Sequence, residues 1–579
     1  MNIKNIKHIA AIFCLSLGLT SCLNLDPQDQ LSEKNLWSNA DDYKLFANQF
    51  YGWSRDFTAA QAYASDKPSH SDYLSDLFTN KDDRNLYSNG TNTVQESDGN
   101  YGSDYGHIYR TNLLLKNAEN YPTQNDIQHY VGEAHFFRAY SYFDLVQLYG
   151  DAIIVKEPMQ VDDPRVKVAQ NDRSEVVDFI LDDLDKASAE LPSFSDLSSS
   201  GYSRVSKEAA WAFISRVALY EGTWQKFRGN EERGKKLLDV AATAAKKVIN
   251  SKSFSLFQPK ELGDSAQKYM FILEDTKSNP AGINKSANHE YIFAKCHDEI
   301  LYPVGTNLTK ANLINAVWVT RKFANMYLCS DGLPIEYSDK FKGYDKIDSE
   351  FDNRDNRMRY TLCRPHGNFW NNIKSHTTWD SKKDEAGAAF KDLLPTTGTG
   401  YNNQKWCAER QVADKNEGYD FPVIRYAEVL LNYAEAVYER DGFISNDDLN
   451  ISLNLVRCRV NQKMPKLSNE LIAEHPGMDM RTEIRRERTI ELFHEGFRLD
   501  DLKRWKTAET EMPMDLLGVK WKGTEYEKKV WPKCPYSPNA DGCIIIESGR
   551  KWSDKNYLFP LPKDQLQLNP QLKQNPGWE

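Results

Sequence analysis

The chain has 579 residues, 27% of them charged and 40% hydrophobic, and a formal net charge of −10. That balance buries a core and excludes a disordered tail. Its acidity excludes the basic face a phosphate backbone requires, so nucleic acid is not expected as a partner.

Residues 1–22 read MNIKNIKHIAAIFCLSLGLTSC. Lys4 and Lys7 precede an apolar stretch from about Ile9 to Leu19 that is too short to span a bilayer. Small residues and a cysteine follow. Residues 1–21 are therefore expected to be a secretory leader. Leu19-Thr20-Ser21-Cys22 resembles a bacterial lipobox, with Cys22 as the acylated first residue of the mature chain. Two or three acyl chains hold a membrane where one does not, at ~0.8 kcal/mol per buried CH₂. The next long apolar run would have to lie beyond this leader, and none is found.

Helical periodicity dominates two regions, about 40–253 and 420–510. Tyr130 to Tyr149 is apolar over a wide arc and ends at Gly150, which predicts a helix buried between neighbours. Ser206 is a good N-cap for a helix carrying Ala210, Phe213, Val217 and Tyr220, with Gly222 expected to close it. Leu237, Val240, Ala241, Ala244 and Val248 predict a second helix, so the two form a hairpin. Phe421 to Arg440 predicts a further helix, and Leu449, Leu453, Val456 and Val460 continue the pattern past Gly442. Small residues facing Tyr and Leu suit closely paired helices of the tetratricopeptide kind. The expected fold is mainly α: a helical-repeat scaffold.

Between about 254 and 420 the periodicity disappears into Asn, Gly, Pro, Asp and Trp, with short apolar pieces such as Tyr291-Ile292-Phe293. So long an irregular stretch is expected to be a loop-rich insertion carrying function. A Pro-rich C-terminal segment covers about 510–579. Apart from the leader, 22–579 is expected to form one domain.

Motifs for chemistry fail on inspection. Gly229 to Lys236 has a phosphate-loop outline, but it ends in Lys, carries Glu231 and Glu232 and follows no strand, so it is expected to be a hairpin turn. His494-Glu495-Gly496-Phe497-Arg498 lacks the second histidine of a zinc helix. No G-x-S-x-G elbow occurs. No metal, cofactor or catalytic residue is expected. Asp352 to Arg357 interleaves Asp with Arg, which predicts mutual pairing that holds a loop. Residues 483–505 predict a charged helix laced by ion pairs and broken at Gly496. After Cys14 and Cys22, seven cysteines remain, and Cys534 and Cys543 flank a loop that a disulfide would close.

Aromatics outside helix stripes are the positive signal. Tyr87, Tyr101 and Tyr105 lie in a Gly/Asn/Asp-rich stretch read as a loop over 80–106. Trp318, Trp370, Trp379 and Tyr401 lie in the insertion near Arg364. A sugar ring offers an apolar C–H face and a rim of hydroxyls, which a flat aromatic beside Asn, Asp or Arg matches. The candidate ligand residues are Asp66, Asp72, Tyr87, Tyr101, Trp318, Arg364, Trp370, Trp379 and Tyr401.

The lipobox, Leu25-Asp26-Pro27, FFRAYSYFDLVQLYGDAIIV (136–155), FPVIRYAEVLLNYAEAV (421–437), IRRERTIELFHEGFRLDDLKRW (484–505) and YLFPLPKDQLQLNPQLKQNPGW (557–578) together resemble the SusD/RagB family of Bacteroidetes. The resemblance implies a surface-exposed outer-membrane lipoprotein with a tetratricopeptide-like scaffold. It implies capture of a glycan without catalysis and delivery to a SusC-like TonB-dependent transporter. It places the ligand face on loops outside the repeats, here 66–106 and 254–420, and it likens Asp355 and Arg357 to a structural D-x-R turn. Family ligand residues vary, so none is carried over by motif. Peptide capture is the alternative within the family. A surface glycoside hydrolase and a ligand-free scaffold are the alternatives outside it.

Overall fold

The computed structural model describes residues 36–57, 70–79, 86–159, 163–197, 201–315, 317–371, 376–378, 398–413 and 415–579. The expected leader, Cys22, Asp66 and Trp379 lie outside these residues. The fold is mainly α, with tetratricopeptide-like helix pairs. The longer helices are α1 (Ala40–Asn48), α2 (Gly99–Ala118), α3 (Gln124–Leu148), α4 (Arg173–Glu190), α5 (Lys207–Lys226), α6 (Glu231–Ser251), α7 (Tyr426–Asp441), α8 (Met480–Glu491) and α9 (Arg498–Arg504). The strands β1 (Phe78–Thr79), β2 (Tyr291–Lys295), β3 (Trp318–Val319), β4 (Asn368–Asn371), β5 (His376–Thr378), β6 (Phe421–Arg425), β7 (Leu516–Lys520) and β8 (Cys543–Glu547) are short.

Successive helices from α2 to α6 pack on one another. Helix α3 is buried nearly all round, as its apolar arc requires, and Gly150 at φ +82° ends it. Phe136 and Tyr140 on α3 meet Phe213 on α5 at 5.4 Å each, and Phe143 meets Tyr220 at 5.5 Å. This aromatic seam joins the two helices.

The expected loop over 80–106 becomes helix α2 from Gly99 onward. Asp98 caps it by accepting from the Asn100 N–H, and Tyr101, Ile108, Leu114 and Ala118 are buried at helical spacing. Gly102 and Gly106, which hid the pattern, lie where an added Cβ would meet nothing.

Ser206 caps α5, its Oγ accepting from the Ala209 N–H at 3.1 Å. Gly222 does not close that helix, which runs on to Lys226. It is instead the point of closest approach to α6. A Cβ there would stand 3.0 Å from Leu238 Cγ, and one on Gly234 would stand 2.9 Å from the Gly222 oxygen. Gly229, at φ +89°, makes the turn between the two helices. On α6, Leu237, Ala241, Ala244 and Val248 are buried, whereas Val240 is on the exposed side.

The predicted helix over 421–440 begins five residues late, because Phe421–Arg425 is strand β6, antiparallel to β2. Pro422 has no N–H to give a helix, and the buried Tyr291-Ile292-Phe293 run supplies a strand partner. Helix α7 then packs on α5, α6 and α8. The layer left at α6 therefore resumes beyond the insertion. The C-terminal segment folds back on α3. The Phe559 N–H donates to the Leu148 carbonyl at 2.6 Å, and the Asn575 amide donates to the carbonyls of Tyr149 and Phe559.

Residues 480–505 do form charged helices broken near Gly496, but their ion pairs are buried and reach across the chain. Glu491 accepts from Arg357 (3.1 Å), Arg425 (2.7 Å) and Arg459 (2.5 Å). Arg425 also pairs with Glu290 and Glu495, Arg459 with Glu290, and Arg357 with Asp355 and Glu487. Further along, Arg488 and Arg504 share Asp501, and Arg504 pairs with Glu435. Burial would raise the Glu491 pKa, but the three guanidinium groups outweigh it and hold the carboxyl well below its ordinary value. The expected pairing of Asp355 with Arg357 is met within this network.

Cys534 and Cys543 are free thiols and not a disulfide. The turn they flank is closed instead by Asn539, whose N–H donates to the Cys543 carbonyl at 2.8 Å while its side chain accepts from the Cys543 N–H at 2.9 Å.

A second network secures the segments leading to the loops. Arg55 donates to Asp144 (3.0 Å) and Gln147 (2.8 Å), Gln147 donates to Asp500 (3.1 Å), and His70 lies between Asp500 (3.0 Å) and Asp144 (3.4 Å). The groups close a ring that balances in charge only when His70 is protonated. Burial and Arg55 press the His70 pKa down, but Asp144 and Asp500 outweigh both and raise it.

Two predictions follow from these networks. Glu491→Gln leaves three buried arginines short of an anion and is expected to cost about 3–5 kcal/mol in urea denaturation; a loss below ~1 kcal/mol contradicts the hub role. His70, with its folded pKa above the unfolded value of ~6.5, adds stability that is full below that value and lost as pH rises through the folded one. The stability gap between the wild type and His70→Asn is therefore expected to shrink from pH 6 toward pH 9. Parallel profiles would contradict it.

Candidate loop face

Segment 70–79 is held against α9 by its acids. Asp72 lies in a short turn capped by Ser71, whose Oγ accepts from the Tyr73 N–H. Its carboxylate accepts from the backbone N–H groups of Glu495 (3.1 Å), Gly496 (3.2 Å) and Arg498 (2.8 Å). Burial pushes its pKa up to about 7 against those hydrogen bonds. Asp76 pairs with Arg498 (2.8 Å) and Lys322 (2.5 Å).

Strand β1 then pairs with β3, Phe78 opposite Val319 and Thr79 opposite Trp318. On the other side the Val319 N–H donates to the Tyr401 carbonyl at 3.2 Å, and Trp318 bridges Asn402. Three stretches far apart in sequence thus meet in one ladder. This brings together the two segments expected to build the ligand face, along with Asp72, Trp318 and Tyr401.

These residues do not offer open faces. Asp72, Tyr101, Trp318, Trp370 and Tyr401 are all buried. Gly398 covers the Trp318 ring so closely that a Cβ there would lie 2.1 Å from Cδ2. The Tyr401 hydroxyl donates to Glu350 at 2.8 Å. Trp370 sits in the β4–β5 hairpin, and the indole N–H groups of Trp318 and Trp370 meet no hydrogen-bond partner among the described residues. Tyr101 packs in the helical layer against Tyr105 and Tyr149 at 5.0 and 5.2 Å. Arg364 is exposed. Tyr87 lies in the short helix Leu86–Asn89, and its side chain is outside the described part.

The structure exposes a different aromatic in the insertion. Beyond β2 the chain makes a tight turn. Asp298 and Tyr302 exchange backbone hydrogen bonds of 2.9 and 3.1 Å, and Asp298 Oδ1 accepts from the N–H groups of Ile300 and Leu301. Ile300, Leu301 and Tyr302 are 80%, 86% and 53% exposed. One face of the Tyr302 ring lies on His297, centroids 5.2 Å apart and planes 7° from parallel. His297 is itself fixed by Asp56 at 3.0 Å, and its N–H donates to Asp420 at 2.8 Å. Lys295 Nζ lies 5.9 Å from the Tyr302 ring centre, and Glu299 pairs with Arg410 at 2.7 Å. The result is a braced, outward aromatic plate near charged hydrogen-bonding groups. The signal for it in the sequence was the run Asp298-Glu-Ile-Leu-Tyr-Pro303, an apolar triplet between acids and a proline.

The profile of the SusD family matches residues 273–578, and a profile described as starch-binding and associating with the outer membrane matches residues 26–219. A SusD-like protein of Formosa agariphila is 28% identical over 269 residues, covering 44% of this chain and 48% of the relative. A second SusD-like protein of that organism is 30% identical over 126 residues, 21% of this chain and 23% of the relative. The chain thus spans about half the length of the first curated relative and less of the second. Among solved structures, a SusD-like carbohydrate binding protein from Bacteroides fragilis superposes with a TM-score of 0.70 at 21% identity, covering 93% of this chain and all (100%) of the other. Surface glycan-binding protein A from Bacteroides fluxus superposes with a TM-score of 0.57 at 18% identity, covering 93% and 99%. Those superpositions show a shared fold. With more than half its length matched by the family profile, the chain belongs to the SusD family.

Proposed function

We propose that this protein is a surface lipoprotein of the outer membrane that captures oligo- or polysaccharide on its loop face and delivers it to a SusC-like TonB-dependent transporter, without cleaving it. Residues 1–21 are the leader, Cys22 carries the acyl chains, and 22–579 is one SusD-like domain. The family description of outer-membrane association supports the address, and the names of the related structures support the ligand class. Among the described residues no helix is long and apolar enough to cross a membrane, which accords with a lipid anchor.

The observation that carries the glycan reading is Tyr302, a half-exposed ring whose inner face is held by His297. A stacked sugar needs such a plate fixed in advance, because ordering a loose side chain costs affinity. Asp56, Glu299 and Arg410 are the nearby hydroxyl partners in this reading, with the exposed Arg364, Asp66, Tyr87 and Trp379 kept as further candidates. Asp72, Trp318, Trp370 and Tyr401 are buried and serve the fold in this reading. Capture of peptides is the second reading, favoured by the exposure of Ile300 and Leu301.

Native gels of residues 23–579 containing plant, microbial and host polysaccharides, assayed for reducing ends, test the proposal. Retardation by one polymer without release is expected, with Tyr302→Ala weakening affinity about tenfold and Tyr302→Phe retaining it. Release of reducing ends would make the protein a hydrolase. No retardation, with binding of apolar peptides, would favour the second reading. In cells, Cys22→Ala is expected to leave the protein unacylated and out of the outer-membrane fraction; acylated protein in that fraction would overturn the anchor.

A further inference from the structure

The turn that carries Tyr302 also carries Ile300 and Leu301, the two most exposed large apolar side chains among the described residues. Scattered singly, such side chains need no explanation; side by side on a fixed turn they do. The turn is anchored at both ends. Before it, the His297 N–H donates to Asp420 at 2.8 Å. After it, the N–H groups of Val304 and Gly305 donate to the carbonyls of Glu417 at 2.8 Å and Lys415 at 3.1 Å. Backbone hydrogen bonds therefore hold the pair outward.

The same bonds leave the tip with no N–H to offer. Ile300 and Leu301 give theirs to Asp298 Oδ1 at 2.9 and 2.8 Å, Tyr302 gives its own to the Asp298 carbonyl at 3.1 Å, and Pro303 has none. Glu299, just before the pair, is taken by Arg410 at 2.7 Å. A peptide laid along this turn as a strand would find no backbone donors in register. A charged substituent placed over Ile300 or Leu301 would lose water against aliphatic side chains. A methyl group placed there gains by leaving water.

We propose that Ile300 and Leu301 are specificity residues that select saccharide units bearing methyl or acetyl groups, such as 6-deoxy, N-acetyl or O-acetyl sugars. The proposal rests on the reading of Tyr302 as the plate beneath the sugar. Consecutive Cα atoms stand ~3.8 Å apart, so a pyranose ring stacked on Tyr302 borders Leu301, and a substituent at its rim covers the aliphatic pair. The anchored turn presents that surface ready-made, and binding costs little further ordering.

Titration calorimetry of residues 23–579 with cellotetraose and with tetra-N-acetylchitotetraose, whose backbones match and which differ in the acetamido groups, tests this. Native gels in acetylated glucomannan, before and after alkaline removal of its acetyl groups, supply a second pair. The acetylated member is expected to bind more tightly in at least one pair, by about fourfold or more, the gain from burying one methyl group, and the bare member in neither. Ile300→Ser combined with Leu301→Ser keeps the backbone bonds of the turn. That variant is expected to unfold at the wild-type temperature and to cut the preference below about twofold. Tyr302→Ala is expected to weaken both members. Equal or tighter binding of the bare members, binding of neither acetylated probe, or a preference that survives the double variant would overturn the proposal. Binding of tri-leucine in place of the saccharides would overturn it in favour of peptides. Affinity unchanged by Tyr302→Ala would overturn the plate itself, whereas affinity that depends on Tyr302 without regard to acetylation would overturn only the selection.

Discussion

Three arginines converge on one buried carboxylate, and the rest of the structure is arranged around that convergence. Glu491 receives Arg357 from the insertion, Arg425 from the end of β6 and Arg459 from the short helices after α7. Each donor belongs to a different segment, so the hub fixes the insertion against the helical layer at a single point. A buried ion pair is seldom a net source of stability against an apolar alternative. What it supplies is position: arginines from three separate segments are held on the same carboxylate. The ladder of β1, β3 and residues 401–402 lies on the frame so fixed, and Asp72 ties it to the N–H groups that follow Glu491.

Local pattern made much of the helical layer legible. The wide apolar arc of 130–149 and the Ser206 cap predicted α3 and α5 because their partners lie on helices adjacent in sequence. Where glycine fell on an exposed face, as at Gly102 and Gly106, the pattern was lost although the helix formed. Where it fell at a contact, as at Gly222, it looked like a terminator and is an interhelix touch point. The start of β6 was not legible because its strand partner lies more than a hundred residues earlier, in the insertion. The burial of 480–505 was hidden for the same reason. The charges look solvated until Arg357, 134 residues from Glu491, is brought to them.

The loop face was legible as a region and not as residues. Aromatic content and lost periodicity marked the insertion, but exposure is decided by what covers each ring. Trp318 is roofed by Gly398, and Tyr401 is tied to Glu350. Tyr302 was not legible because the run Ile300-Leu301-Tyr302 has the same composition type as the buried Tyr291-Ile292-Phe293. The two differ in that one is a strand paired to β6 and the other is the tip of a turn held outward by Asp298.

In the proposed function a rigid frame presents a braced aromatic, Tyr302 on His297, to a sugar. A crystal structure of residues 23–579 with an oligosaccharide that retards them in native gels tests the proposal most directly. The account predicts an intact saccharide with one ring stacked about 4 Å from the outer face of Tyr302 and hydroxyls on the side chains around it. A saccharide bound away from Tyr302, or a cleaved one, would contradict it.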